Sequence, residues 1–375
     1  MTAREDSADH GKFHDLALSE LSPEMSLRLQ RLRDPNWFSS AGFAQSYWTH
    51  PAERVAFLED RSGQVIEKCF YREDRWAGVF KEIGIFGPAD PGSRLLSQLQ
   101  QSRRAHIVKL CWVAAPNVPL DKGFWKSFAV RQRTEDYCIQ LPESPSEYLQ
   151  TLGSSTRKHL PYYVRRLSKE WDSRWDFEEN TGANITYESY ERLFELNRLR
   201  MDRKGHRSAW TEDLRRQRWG LAQESGLLCS LRFGGEIVAG TLSFLHQREA
   251  YLIVLAHDPQ FDRLNLGNVS LWLTIQYLIR SSYDRYHLMW GRSSYKEQLG
   301  GKIQPLFDMM LFPRSSVAAL WFATDSLMLL KGGAFIAKVS ASFRRRLPAK
   351  RSLASEKGDR SETSSVDHQP SEENR

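Results

Sequence analysis

The chain has 375 residues, 26% of them charged and 12% aromatic, a globular composition long enough for two domains. Its 53 basic against 46 acidic residues give a net charge of +7, an excess that permits an anionic ligand or membrane surface without singling out nucleic acid. Cys69, Cys111, Cys138 and Cys229 form no CxxC pair, and no His cluster has metal spacing, so they read as buried thiols of a cytosolic protein with no metal.

In chain order, residues 1–35 are polar and are expected to be a loose tail holding one amphipathic helix, "LSPEMSLRLQRLR"; the start shows no secretory pattern. A first domain, 36–142, opens with a helix, "SAGFAQSYWTH". Strands "RVAFLED", "QVIEKCFYRED" and "KEIGIFG" follow, then a helix, "PGSRLLSQLQQSRR", and a strand, "HIVKLCWVA". A second domain, 143–314, repeats the plan. Helices lie in "TYESYERLFELNRLRMDRKG" and "TEDLRRQRWGLAQES". Strands "GLLCSLRF" and "EIVAGTLSFLH" are joined by the two-residue turn Gly234–Gly235, and "AYLIVLAHD" completes the meander. A helix, "NVSLWLTIQYLIRSS", the strand "RYHLMW", a short helix ending at Gly300–Gly301 and the strand "LFDMMLF" close it.

Residues 315–347 are apolar and end in the basic cluster Arg344–Arg346. They suit either an interfacial helix that seats Trp321 and Phe322 on an anionic membrane or a core helix of the second domain. Residues 348–375 lack apolar side chains almost entirely and are expected to be disordered. No uncharged apolar run approaches the ~20 residues that span a bilayer. The whole is a mixed α/β plan.

Chemistry concentrates after "AYLIVLAHD". A strand runs into a loop with Asp262, Arg263 and Asn265, which ends at Gly267–Asn268 where a helix begins. Leu271, Ile275, Leu278 and Ile279 make its buried face, and Asn268 is a suitable N-cap. Free first-turn N–H groups behind a glycine loop suit a pyrophosphate, although an ordinary capped helix has the same sequence. Farther on, "MWGRSSYKEQLGGK" leads a buried strand through one glycine onto Arg, Ser, Tyr and Lys, more chemistry than a reversing turn needs. For the base, His257 and Asp258 close one strand and His287 lies on the next; Asp258 before Pro259 equally suits a turn. Arg157, Lys158, Arg165, Arg166 and Lys169 form a basic helix pair around Pro161, either a solvated face or a phosphate-recognising one.

Meander, glycine-loop helix, strand and short helix with Tyr is the layout of the GNAT N-acetyltransferases. Three stretches, "YLQTLGSSTRKHLPYYVRRLSKE", "FELNRLRMDRKGH" and "WGRSSYKEQLGG", resemble the CelD-like GNAT acetyltransferases linked to bacterial cellulose and exopolysaccharide biosynthesis, relatives of the Fem-type aminoacyltransferases. The resemblance runs from about Trp37 to Phe312. It implies two tandem GNAT-like halves, each a mixed, mostly antiparallel sheet flanked by helices: a degenerate half at 36–142 and an acyltransferase half at 143–314. It implies acetyl-CoA or another acyl-CoA held by Leu255, Ala256, Arg263, Asn265, Leu266, Gly267 and Asn268. Tyr295 would protonate the departing thiolate and Lys296 would orient an anionic group. Arg157, Arg165 and Arg203 would face a sugar precursor or polysaccharide-linked acceptor. The sequence departs from the family at His287, usually acidic, at Arg292 and Ser293, and at "LNLG", where relatives have Ser-Pro-Gly.

The leading expectation is a cytoplasmic acyltransferase that acts by direct transfer, with 317–347 touching the inner face of the membrane. The alternatives are a Fem-like transferase using aminoacyl-tRNA and a non-catalytic accessory protein of a polysaccharide synthase.

Overall fold

In this computed structural model the described residues are 12–31, 52–76, 78–86, 94–113 and 124–330. Residues to Ala323 form one compact unit, and residues from Thr324 a second, of which only the helix to Leu330 is described. The helix expected at "SAGFAQSYWTH", the basic end of 315–347 and the tail 348–375 lie outside the described residues.

The chain enters the sheet earlier than its polarity predicts. Strand β1 (Lys12–Ala17) pairs antiparallel with β2 (Arg54–Glu59), and helix α1 (Pro23–Arg31) lies between them. Partners order this polar stretch. His14 stacks on Phe57 at 4.6 Å, and the Asp15 carboxylate accepts from Arg54 at 3.0 Å, Tyr71 at 2.7 Å and Arg103 at 2.5 Å. Residues 12–31 therefore differ from the loose tail expected for 1–35.

The first meander continues through β3 (Val65–Trp76) and β4 (Phe80–Phe86), and helix α2 (Arg94–Arg103) crosses to β5 (Ile107–Val113), parallel to β4. Next come β6 (Ser127–Gln140), α3 (Pro145–Thr151), α4 (Ser154–Trp171) and β7 (Trp175–Thr181). The basic helix pair is thus one helix, with Pro161 inside α4. Helices α5 (Tyr187–Arg203) and α6 (Glu212–Ser225) lead to the second meander, β8 (Gly226–Phe233), β9 (Glu236–His246) and β10 (Glu249–His257). Helix α7 (Leu266–Arg280) crosses to β11 (Arg285–His287), parallel to β10, followed by α8 (Ser294–Gln298), β12 (Lys302–Phe312) and α9 (Ser315–Leu330).

Among the described residues, twelve strands form one open, mostly antiparallel sheet in the order β1-β2-β3-β4-β5-β12-β6-β11-β10-β9-β8-β7. The two meanders are therefore halves of one sheet. β12, from the end of the second half, lies between β5 and β6 of the first. Around β10, α5 and α6 bring Leu193, Phe194 and Leu221 against Phe244, Tyr251 and Val254 on one face. On the other face α7, α3 and α4 bring Leu271, Ile275, Tyr148 and Leu160 against Leu227, Leu252 and Tyr286. Each fully buried aliphatic or aromatic side chain contributes ~1.5–3 kcal/mol, so the sheet between α5 and α7 is firmly held.

The first part of α9 is a core helix: Val317, Ala318 and Trp321 pack on Ile107, Met310 and Phe312, while Leu320 and Phe322 stay exposed. Among the described residues no helix is long and apolar enough to cross a membrane.

Candidate active site

The parallel pair β10–β11 has only three rungs, Glu249↔Arg285, Ala250↔Tyr286 and Tyr251↔His287. β10 then runs on from Leu252 to His257 without this neighbour, leaving a notch in the sheet. β11 stops because the chain turns. The Leu288 N–H donates to the Tyr137 carbonyl at 2.7 Å, and Met289 (φ 59°) and Gly291 (φ 90°) then adopt the left-handed region, which favours glycine at 291. Lys296 clamps this turn. Its Nζ donates to the carbonyls of Met289 (3.1 Å), Trp290 (2.7 Å) and Gly291 (3.0 Å), and burial lowers its pKa to about 8. At 5% exposure its donors are spent on the backbone, so it is placed to hold the turn rather than to orient an anionic substrate.

At the vertex sits His287, also 5% exposed. Its Nδ1 lies 2.6 Å from Asp136 and its Nε2 3.4 Å from Glu249. Burial alone would lower its pKa, but hydrogen bonds with Asp136, Cys138 and Glu249 push it well up. A ring locked between two carboxylates has no nitrogen for a substrate proton, so the structure does not support His287 as the base.

The loop after β10 is a 3-10 turn, Pro259–Leu264, capped by Asp258, whose carboxylate accepts from the Gln260 N–H at 2.9 Å. Asp258 is 9% exposed and serves this turn. His257 Nε2 pairs with Asp262 at 2.9 Å, and its Nδ1 is buried without a partner. Burial lowers the His257 pKa, with the Asp262 hydrogen bond opposing. Its two nitrogens are thus engaged or sealed. Asp262 also meets Arg203 at 3.2 Å, and Arg203 donates to the Pro259 carbonyl at 2.6 Å, so this arginine braces the loop. Arg263 pairs with Glu170 of α4 at 2.5 Å, while Arg166 donates to the Arg263 carbonyl at 3.0 Å.

Asn265, in the left-handed region at φ 54°, caps α7 without a side-chain hydrogen bond, and Asn268 is the helix's third residue rather than its cap. Gly267 faces the protein: a Cβ there would lie at ordinary contact distance, 3.4 Å from His257 Nδ1 and 4.0 Å from Leu255. Leu266 and Ala256 are fully buried.

Asn268 instead lines a cleft of about 280 Å³ between α4, α7 and α8, together with Tyr295, Gln298, Tyr163, Ser155 and His159. Burial raises the Tyr295 pKa, so the phenol keeps its proton at neutral pH and can donate it. Tyr295 and the first turn of α7 are thus brought together, whereas Lys296, His287 and Asp258 face elsewhere. Arg157 and Arg165 are exposed on α4. The sequence reading passed over His159, whose Nδ1 lies 3.2 Å from the Ser155 hydroxyl; the Ser-x-x-x-His spacing on a helix was the available signal. A larger cleft of about 1000 Å³ lies by α5, β7 and the β8–β9 turn, but no expected site residue lines it. Its cations pair internally, Arg232 with Glu178 and Arg215 with Glu191.

Residues 154–297 match the family model "Acetyltransferase (GNAT) domain", which covers α4 to α8 and so contains the notch and the cleft. The crystal structure of FemX superposes with a TM-score of 0.56 at 11% identity, covering 79% of this chain and 96% of that one. L-PGS from Bacillus licheniformis gives 0.47 at 11% identity, over 69% and 84%. A GCN5-related N-acetyltransferase from Sphaerobacter thermophilus gives 0.37 at 12%, over 79% and 87%. No curated protein matches the chain. At these identities the structural likeness is one of fold.

Proposed function

We propose that this protein is an acyltransferase that moves an acetyl or similar acyl group from CoA to an amine or hydroxyl. The observation that carries the reading is the shared cleft. Tyr295 and Asn268 of the α7 first turn line one space, within the stretch that matches a GNAT domain. The Asn268 and Val269 N–H groups already donate to the Asn265 carbonyl at 3.0 and 3.1 Å, so it is the positive end of the α7 dipole that suits the pyrophosphate of CoA. The acceptor lone pair attacks the thioester carbon, the C–S bond breaks, and the departing thiolate takes the Tyr295 proton, which solvent then replaces. Direct transfer is favoured over an acyl-enzyme, because all four cysteines are buried and burial pushes Cys111 and Cys229 up to about 12. For the acceptor's proton, His159 is favoured over His257, Asp258 and His287, since its ring lines the cleft.

A sugar precursor or polysaccharide-linked acceptor rests on the sequence resemblance, as does a place in cellulose or exopolysaccharide biosynthesis. Exposed Leu320 and Phe322 support a peripheral membrane contact through 317–347, tested by co-sedimentation with anionic vesicles.

Calorimetric titration with acetyl-CoA tests the main reading: saturable binding is expected, and its absence overturns CoA dependence. One observation favours a second reading, aminoacyl transfer from tRNA. Arg157, Lys158, Arg165 and Lys169 are exposed along α4 with no ion-pair partner among the described residues, a stripe that suits a polyanion. Binding of tRNA in place of acetyl-CoA selects that reading, and binding of neither selects the non-catalytic accessory protein.

A further inference from the structure

We propose that His287 is a charged positioning residue that fixes the point at which β10 and β11 part, and so sets the width of the notch. The role in acyl transfer rests on the reading above; the strand geometry does not.

Tyr251↔His287 is the last rung of the parallel pair, and three strands meet there. From β6, Asp136 faces Nδ1 at 2.6 Å and the Cys138 sulfur lies 3.9 Å from Nε2. From β10, Glu249 faces Nε2 at 3.4 Å, and the Tyr251 ring stacks on the imidazole at 4.3 Å and 5°. Tyr251 also donates to Glu249 at 2.5 Å, and Arg285 of β11 reaches Glu249 at 2.8 Å. From α8, Lys296 is the further cation that Asp136 feels. Both ring nitrogens face carboxylates, so the arrangement is satisfied when both donate, that is, by an imidazolium.

The charge decides the geometry because of burial. Asp136 is 1% exposed, and its Oδ1 already lacks a partner. Without the imidazolium, Asp136 and Glu249 are two carboxylates flanking one dry space, which like-charge repulsion and desolvation oppose. β6 and β10 would relax apart, the last rung would open, and the notch would start nearer Glu249. The histidine thus bridges Asp136 of β6 to Glu249 of β10.

The test uses the full chain without ligand, comparing wild type, His287→Gln, and His287→Gln with Asp136→Asn. Amide hydrogen exchange is read for 249–257 and 286–291 against α7 and β8, and imidazole nitrogen shifts report the ring's charge in the wild type. The expected result is exchange at least about tenfold faster in those two segments in the single variant, corresponding to ~1.4 kcal/mol of local opening. Exchange in α7 and β8 stays unchanged, most of the loss is recovered in the double variant, and the wild-type ring is doubly protonated at pH 8. Unchanged exchange in the single variant overturns the proposal. So does a double variant worse than the single one, because ring volume rather than charge would then matter, or a wild-type ring neutral at pH 7. The wild-type measurement decides even where a variant does not fold. Acetyl-CoA titration of the same proteins separates the two ideas: if the wild type binds none while the exchange pattern holds, the acyl-CoA reading falls and the strand role stands.

Discussion

The two halves of the sheet share one topology and differ where it matters. In the first, β4 and β5 stay paired from Glu82↔Ile107 to Phe86↔Cys111, the end of β4. In the second, β10 and β11 part after Tyr251↔His287 while β10 continues to His257. Left-handed residues occur near both strand ends, Trp112 (φ 64°) and Met289 (φ 59°), and the Trp112 ring stacks on Trp290 at 4.6 Å. A meander, a crossover helix and a parallel strand thus occur in both halves, and in the second the parallel pair is cut short, next to a turn held by Lys296 and a vertex occupied by His287.

The largest effect expected tests whether the crossover helices are equal as scaffolds. Leu96→Ala in α2 and Leu271→Ala in α7, both fully buried, should each cost ~2–5 kcal/mol in urea unfolding. Only the α7 change should weaken the stabilisation given by acetyl-CoA; equal weakening in both would break the comparison. Tyr295→Phe should slow thiol release from acetyl-CoA with amine acceptors by about 10²-fold or more while affinity holds. An unchanged rate removes Tyr295 as the acid. Asn268→Asp should lower acetyl-CoA affinity about tenfold, ~1.4 kcal/mol, by charge repulsion. The same change should leave thermal stability level or raised by a few tenths of a kcal/mol, because an acid suits a helix N-terminus. Unaltered affinity would move the pyrophosphate away from α7. Smallest of all, Arg157→Ala with Arg165→Ala should leave acetyl-CoA affinity unchanged and stability within ~0.5 kcal/mol, because both side chains are exposed. A large affinity loss would put α4 on the CoA side.

Acid stability follows from the vertex. Burial would raise the Glu249 carboxyl, but hydrogen bonds from His287 and Tyr251 hold it at about 2. Its contribution is complete above the unfolded carboxylate range and is lost as pH falls toward 2. The His287 contribution has the opposite sign: it is complete below the ordinary imidazole range and lost as pH rises through the raised folded value. The urea midpoint gap between wild type and His287→Gln should therefore narrow at alkaline pH.

Much of the second meander was legible in sequence, because Gly234–Gly235 marks the hairpin and Leu271, Ile275 and Leu278 mark the buried face of α7. β6 was not. "SFAVRQRTEDYCIQ" is heavily polar, its long partner β12 is remote in sequence, and it meets β11 only from Cys138 to Gln140. Edge strands β1 and β7 are polar for a related reason, having one neighbour each. The apolar run "RYHLMW" could not show that its ladder stops at His287, since a left-handed Met289 leaves no compositional mark. At the site, Tyr295 and Asn268 could be read from local pattern. The placement of Lys296 and His287 could not, because their partners are backbone carbonyls and Asp136, set by tertiary contact.

The position of β12 bears on how the chain is made. Its Lys302–Phe312 segment separates β5 from β6, so the sheet is discontinuous until a ribosome has delivered nearly all of the described residues. Until then β5 and β6 each present an unpaired edge, and β5 waits for a partner about two hundred residues away, a delay that favours slow folding and exposes strand edges to neighbouring chains. A nascent chain stalled before Lys302 should therefore depend on chaperones, whereas one released after Phe312 should close its own sheet.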